Sequence, residues 1–193
     1  YAPVSQNMQD QSKINIFLID ENDVKRLVDD YTMIDFFIEF PPNEITQVEH
    51  SFTVSEDISI VSFFPHSHLL GKSWEVYATT PNNETIPFIK INNWNFDWQN
   101  FYYPEFMLHL PAGSEIHAIA EYDNTSDNPN NPNNPPQTVG WGDNTTDEMF
   151  FLPIFYVEYQ DGDELISLSS AEEECNPNAD INQDGITNIL DVV

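Results

Sequence analysis

Basic residues are nearly missing from this 193-residue chain: 5 Lys+Arg stand against 33 Asp+Glu, a formal net charge of −28. Nucleic acid and anionic membranes both need a positive surface, so neither is a natural partner. The surplus of acid suits cation binding and solubility in a saline environment. Cysteine is scarcer still. Cys175 stands alone, which excludes an internal disulfide and with it a disulfide-stapled scaffold. No stretch approaches the roughly 20 apolar residues of a membrane span. There is no signal peptide at Tyr1 and no initiator Met, as expected of a processed or excised chain.

What is present is enough apolar material for a core, with 40% hydrophobic and 13% aromatic residues. It comes in short runs punctuated by Pro, Gly and Asn. KINIFLI (13–19), TMIDFFIEF (32–40), QVEHSFTV (47–54), ISIVSFF (58–64), SWEVYATT (73–80) and TIPFIKI (85–91) read as strands. EFMLHL and SEIHAIAEY (105–122) read as two more around a Pro-Ala-Gly turn, and EMFFLPIFYVEY (148–159) as a buried strand. DENDVKRLVDDY (20–31) reads as one short helix capped by Asp20. DNTSDNPNNPNNPPQ (123–137) reads as an exposed low-complexity loop near a functional edge. The sum is all-β: an antiparallel β-sandwich, jelly-roll-like, over residues 1–159, followed by a linker at 160–179.

The last stretch, 180–193, has a different character. DINQDGITNILD puts side-chain oxygens at loop positions 1, 3, 5, 9 and 12 (Asp180, Asn182, Asp184, Asn188 and Asp191) and a backbone carbonyl at Ile186. Gly185 sits where the chain must turn sharply. Flexible oxygen coordination of this order is what calcium takes. The run resembles one dockerin-type half-repeat, which implies a surface-attachment or spacer element, here truncated.

Chemistry of another kind is suggested by FFPHSHLLGK (63–72). Residues two apart on a strand share a face, so His66 and His68 project together. Met149 comes much later, in GWGDNTTDEMFFLPIFY. Two neutral imidazoles and a thioether form a soft set suited to Cu(I). Each residue also has a plain reading: strand histidines can simply be hydrogen-bonded, and a lone Met is commonly core.

HSHLLGK, then EFMLHLPAGSEIHAIAEYDN, then the E-M run resemble the C-terminal domain of the copper type II, ascorbate-dependent monooxygenases, the family of peptidylglycine α-hydroxylating and dopamine β-monooxygenases. The resemblance spans roughly residues 55 to 158. It implies a β-sandwich, one oxygen-activating copper held by His66, His68 and Met149, and hydroxylation of a substrate C–H bond with O₂ and ascorbate or another reductant. It also implies a secreted or cell-surface location and an N-terminal domain carrying a second, electron-relaying copper.

Departures from the family pattern narrow the reading. His50 is the only histidine upstream of the pair and no His-His dipeptide exists, so the second copper site is absent and this chain alone is expected to be inactive. Where the amidating enzyme has an Arg before the first His and a Tyr after the Met, this chain has Phe64 and Pro153. That argues against a peptide carboxylate and for a small non-peptide substrate, with Phe64, Phe151 and Trp141 offering an apolar surface. His109 and His117, in apolar strands, read as structural. The alternative to an enzyme half is a non-catalytic copper-binding module, or a cell-surface β-sandwich displayed through its calcium repeat. WNFDWQNFYY (94–103) reads either as core or as an aromatic platform.

Overall fold

Ten strands carry nearly all of the regular structure in the computed structural model, which describes residues 13–16, 18 and 20–168. They are β1 (Asp29–Ile34), β2 (Glu39–Phe40), β3 (Ile45–Thr53), β4 (Ile58–Phe63), β5 (Gly71–Thr79), β6 (Thr85–Ile91), β7 (Leu108–Leu110), β8 (Glu115–Asp123), β9 (Val139–Gly140) and β10 (Phe151–Glu158). All strand pairs are antiparallel. One four-stranded sheet runs β1-β10-β4-β7, the other β3-β8-β5-β6, and β2 pairs with β9. Ile58, Ile60 and Ile154 of the first sheet meet Trp74, Val76, Ala78 and Ile116 of the second in one buried cluster. The chain is thus a β-sandwich, as its alternating runs require.

Local sequence explains the two kinds of strand. β5 and β8 alternate buried and half-exposed residues, because one face of their sheet meets the core and the other meets water. β4 and β10 lie in the middle of the first sheet and are buried almost throughout, so they read as continuous apolar runs. Pro87 sits on β6, an edge strand, where a missing N–H breaks no ladder on the open side.

The structure corrects several expectations. Residues 13–16 and 18 belong to no strand: alternating apolar residues form one only where a neighbour supplies the ladder. The expected helix over 20–31 is a single 3₁₀ turn, Glu21–Asp23, after which the chain is extended into β1. Asp20 does cap that turn, accepting from the Asn22 N–H at 2.9 Å. Val24, Leu27 and Val28 are exposed, so a helix there has no packed face, and so short a helix does not persist on propensity alone. The expected strand 32–40 breaks where Asp35 Oδ1 accepts from the Phe37 N–H at 2.7 Å, an Asx turn that divides β1 from β2.

The Asn-Pro loop is also more than an exposed insertion. Asn124 is buried, and its amide donates to the carbonyls of Phe40, Pro41 and Gln137 at 2.8–3.0 Å. Its oxygen accepts from Asn131 at 2.9 Å. Asn128 donates to the Leu69 carbonyl at 3.1 Å, which fastens the loop to the segment after the histidine pair. Asparagine side chains here supply the partners that a ladder would otherwise provide. Cys175 and the calcium-type run at 180–191 lie outside the described residues.

At the far end of the sandwich, Asp163 is buried and multiply bonded. Arg26 donates to both of its oxygens at 2.6 and 2.7 Å, Ser59 Oγ donates at 2.7 Å and the Gln160 N–H at 3.0 Å. The Arg26 guanidinium first, and then these donors, hold the carboxyl well below the usual carboxylate range against the opposing effect of burial. A depressed folded-state pKa gives stability that is present above the unfolded value, roughly 3.9, and is lost as the pH falls below it. Arg26→Ala leaves a buried unpaired carboxylate, so urea unfolding at pH 7 is expected to show a loss of about 3 kcal/mol. The same comparison at pH 3 is expected to show a smaller loss.

Candidate metal centre

Two prolines shape the approach to the histidine pair. Along β4 and β10 the last regular partners are Phe63 and Ile154. Beyond them come Pro65 on one strand and Pro153 on the other, neither able to donate, and only the Phe64 N–H reaches across, to the Pro153 carbonyl at 3.0 Å. Pairing then resumes for a single residue pair: the His66 N–H donates to the Phe151 carbonyl at 2.9 Å, and Phe151 returns the bond at 3.3 Å. The histidines therefore lie just past the end of β4 rather than on it. Their rings are neighbours all the same, with centroids 5.1 Å apart and planes at 86°.

Ser67, between them, is buried and faces inward. Its Oγ accepts from the Trp74 indole N–H at 2.9 Å and donates to the Tyr122 hydroxyl at 3.2 Å. Tyr122 in turn donates to the Met149 carbonyl at 2.9 Å. A line of hydrogen bonds thus runs from the second sheet through the middle of the His-Ser-His segment to the backbone of Met149. Gly71 comes soon after because nothing larger fits: a Cβ there would lie 2.6 Å from the Trp94 ring and 2.8 Å from Ser67 Cβ.

Each imidazole has one nitrogen committed. His68 Nδ1 lies 3.0 Å from the Asp147 carbonyl, which can only accept, so Nδ1 carries the proton. His66 Nδ1 faces Gln99 Oε1. The Gln99 amide is oriented by its other end, where Nε2 donates to the Phe96 carbonyl at 2.7 Å, so here too the ring nitrogen is the donor. In these tautomers both Nε2 atoms keep a lone pair, with no hydrogen-bond donor to it among the described residues. An acceptor on the far nitrogen is the usual device for presenting imidazole to a metal. Burial, with some help from the neighbouring His68 ring, pushes His66 below the ordinary histidine value, while the Gln99 acceptor raises it.

Segment 94–103 supplies this support, which composition could not reveal. Trp94 packs against the core and donates to the His68 carbonyl at 3.2 Å. Phe96 meets the His68 ring edge-on, and Phe101 packs against Phe64. Gln99, unremarked in the sequence among so many aromatics, is the residue that fixes a histidine tautomer. Trp98 is exposed.

His66 and Met149 line one cleft of about 520 Å³, together with Ile34, Phe64, Gln99, Trp141, Asp143 and Phe151. Its walls are apolar and aromatic, and Asp143 is the one carboxyl-bearing side chain among the residues that line it. Phe64 lies parallel to the His66 ring at 6.0 Å and Phe151 lies edge-on at 6.1 Å. The remaining histidines lie elsewhere. His50 Nε2 meets Asp35 at 2.9 Å, His109 stacks on Tyr159 at 3.8 Å and His117 on Tyr77 at 4.8 Å. Among the described residues no three His, Cys, Asp or Glu side chains gather as a metal cage. A carboxylate-rich site for a hard ion is therefore not what this cleft offers. Two imidazole nitrogens and a thioether fit a soft, redox-active ion such as copper.

Residues 43–183, more than half of the chain, match the family model described as the copper type II ascorbate-dependent monooxygenase, C-terminal domain. No curated protein matches the chain.

The geometry fixes an outcome for the metal-free protein. Nitrogen-15 NMR is expected to show His66 protonated at Nδ1 and bare at Nε2, titrating below the ordinary histidine value of roughly 6.5. Gln99→Leu removes the acceptor that favours the imidazolium, so the titration is expected to move lower still and the tautomer to become mixed.

Proposed function

The chain belongs to the copper type II, ascorbate-dependent monooxygenases, and we propose that it holds the family's oxygen-activating copper through His66, His68 and Met149. The observation that carries this reading is the state of the two rings: both Nδ1 atoms are occupied by acceptors, both Nε2 atoms keep a lone pair, and Met149 shares a cleft with His66. When bound, copper supplies the one-electron chemistry with dioxygen that hydroxylation of a C–H bond needs. The protein's own residues do the rest. Gln99 and the Asp147 carbonyl hold the imidazoles in the ligating tautomer. Phe64, Phe151, Trp141 and Ile34 give the substrate side an apolar lining.

The cleft's lining also bears on the substrate. No Lys or Arg lines it, so a peptide carboxylate finds no partner there and burying it costs several kcal/mol. We therefore assign a small non-peptide substrate in contact with Phe64 and Phe151. Because this is the family's C-terminal domain, an N-terminal domain with the electron-relaying copper is its expected partner in a parent chain, with ascorbate or another reductant as electron source. We also place calcium at Asp180, Asn182, Asp184, Ile186, Asn188 and Asp191, on spacing alone, and the protein outside the cell. Among the described residues no helix is long and apolar enough to cross a membrane.

Anaerobic Cu(I) titration against a competing chelator tests the central assignment. One Cu(I) per chain is expected, weakened at least about tenfold (about 1.4 kcal/mol) by His66→Ala and by Met149→Ala. Binding indifferent to both substitutions would remove the assignment.

A further inference from the structure

The residue before Met149 is a buried carboxylate without a cation to balance it among the described residues. Glu148 is 0% exposed, and none of the ion pairs there includes it. Its partners are backbone amides. Oε1 accepts from the His68 N–H and, at 2.8 Å, from the Met149 N–H. Oε2 accepts from the Leu70 N–H at 2.9 Å, and the nearby Gly71 N–H also favours the charged form. The backbone of Glu148 is itself anchored, its N–H to the Gly140 carbonyl at 3.0 Å and its C=O to the Gly142 N–H at 3.3 Å.

A single oxygen atom therefore joins the backbone of one imidazole arm to that of the thioether arm. Met149 is held at its other end as well, because its carbonyl accepts from Tyr122, which is bonded to Ser67. Both backbone groups of Met149 are thus tied to the His-Ser-His segment, by two independent routes. This matters for a thioether in particular. Its side chain has three rotatable bonds and is a weak ligand, so its contribution depends on where the backbone starts it.

We propose that Glu148 is a positioning residue that sets the separation between the His66–His68 segment and Met149, and so decides whether the thioether reaches the metal held by the histidines. This rests on the copper assignment above. A simple anchor would stabilise the fold without affecting sulfur ligation. A positioning residue acts through Met149, so its loss and the loss of Met149 are redundant.

The test compares wild type, Glu148→Gln, Met149→Ala and the double variant, each loaded anaerobically with Cu(I). Glu148→Gln keeps the volume but replaces one acceptor oxygen with an N–H₂ group facing amide donors. In folded Glu148→Gln, X-ray absorption is expected to show loss of the sulfur scatterer, and Cu(I) affinity to fall about tenfold or more. The double variant is expected to bind no more weakly than Met149→Ala. Should Glu148→Gln lose its near-ultraviolet circular dichroism, Glu148→Asp carries the same comparison, since a side chain one methylene shorter cannot reach both arms. A folded variant with wild-type affinity and an undiminished sulfur signal overturns the proposal, as does a fully additive double variant. A wild type that binds no Cu(I) overturns the copper assignment itself, and this inference with it.

Discussion

The antiparallel pairing of β4 with β10 is the contact on which the rest of the site depends. It brings residues 66–68 beside residues 147–151, though about 80 positions separate them in the chain, and it does so in the middle of the most buried sheet. Ladder and core together fix the two segments before any side chain at the site is considered. Pro65 and Pro153 then interrupt the ladder, which resumes only for the single pair His66 and Phe151. Past the prolines lies a short irregular region held by side chains: Ser67 to Tyr122, Glu148 to His68 and Leu70 of the opposing segment and its own neighbour, Asn128 to Leu69.

That region is polar in its supports and apolar in its opening. Buried polar groups are tolerated only when satisfied, and here Ser67, Tyr122 and Trp74 satisfy one another in series. Glu148 is the member that burial opposes most. Burial pushes its carboxyl up to about 7, against the pull of the four amides that favour its charged form. A chain this acidic can leave carboxylates on its surface at no cost; placing one in the core beside a histidine segment needs a reason that packing alone does not supply. Toward solvent, by contrast, the cleft presents rings and aliphatic carbons to whatever enters.

Much of this could be read from residue order. The period-two runs of β3, β5, β6 and β8 marked their strands within a residue or two, because one face is wet and one is dry. The motif order indicated the family, and the sequence proximity of His66 and His68 matched the closeness of their rings. The failures have common causes. The stretches around 13–16 and 20–31 have apolar periodicity, but a pattern cannot reveal whether a partner exists: residues 13–16 and 18 lie in no strand, and Val24, Leu27 and Val28 are exposed. β2 and β9, two residues each, are too short to carry a pattern at all. The Asn-Pro loop looked featureless because its order comes from side-chain amides rather than apolar periodicity. Gln99 and Glu148 were illegible as supports for a longer-range reason: they act on His66 and His68, which lie 33 and 80 positions away in the chain.

Copper coordination by the wild-type chain is the most direct test of the proposed centre. X-ray absorption at the copper edge of the anaerobic Cu(I) protein is predicted to show two imidazole nitrogens and one sulfur, with the sulfur lost in Met149→Leu and one imidazole lost in His68→Ala. A spectrum of oxygen ligands only, or one unchanged by either substitution, would contradict the assignment and leave a β-sandwich of this family without its metal.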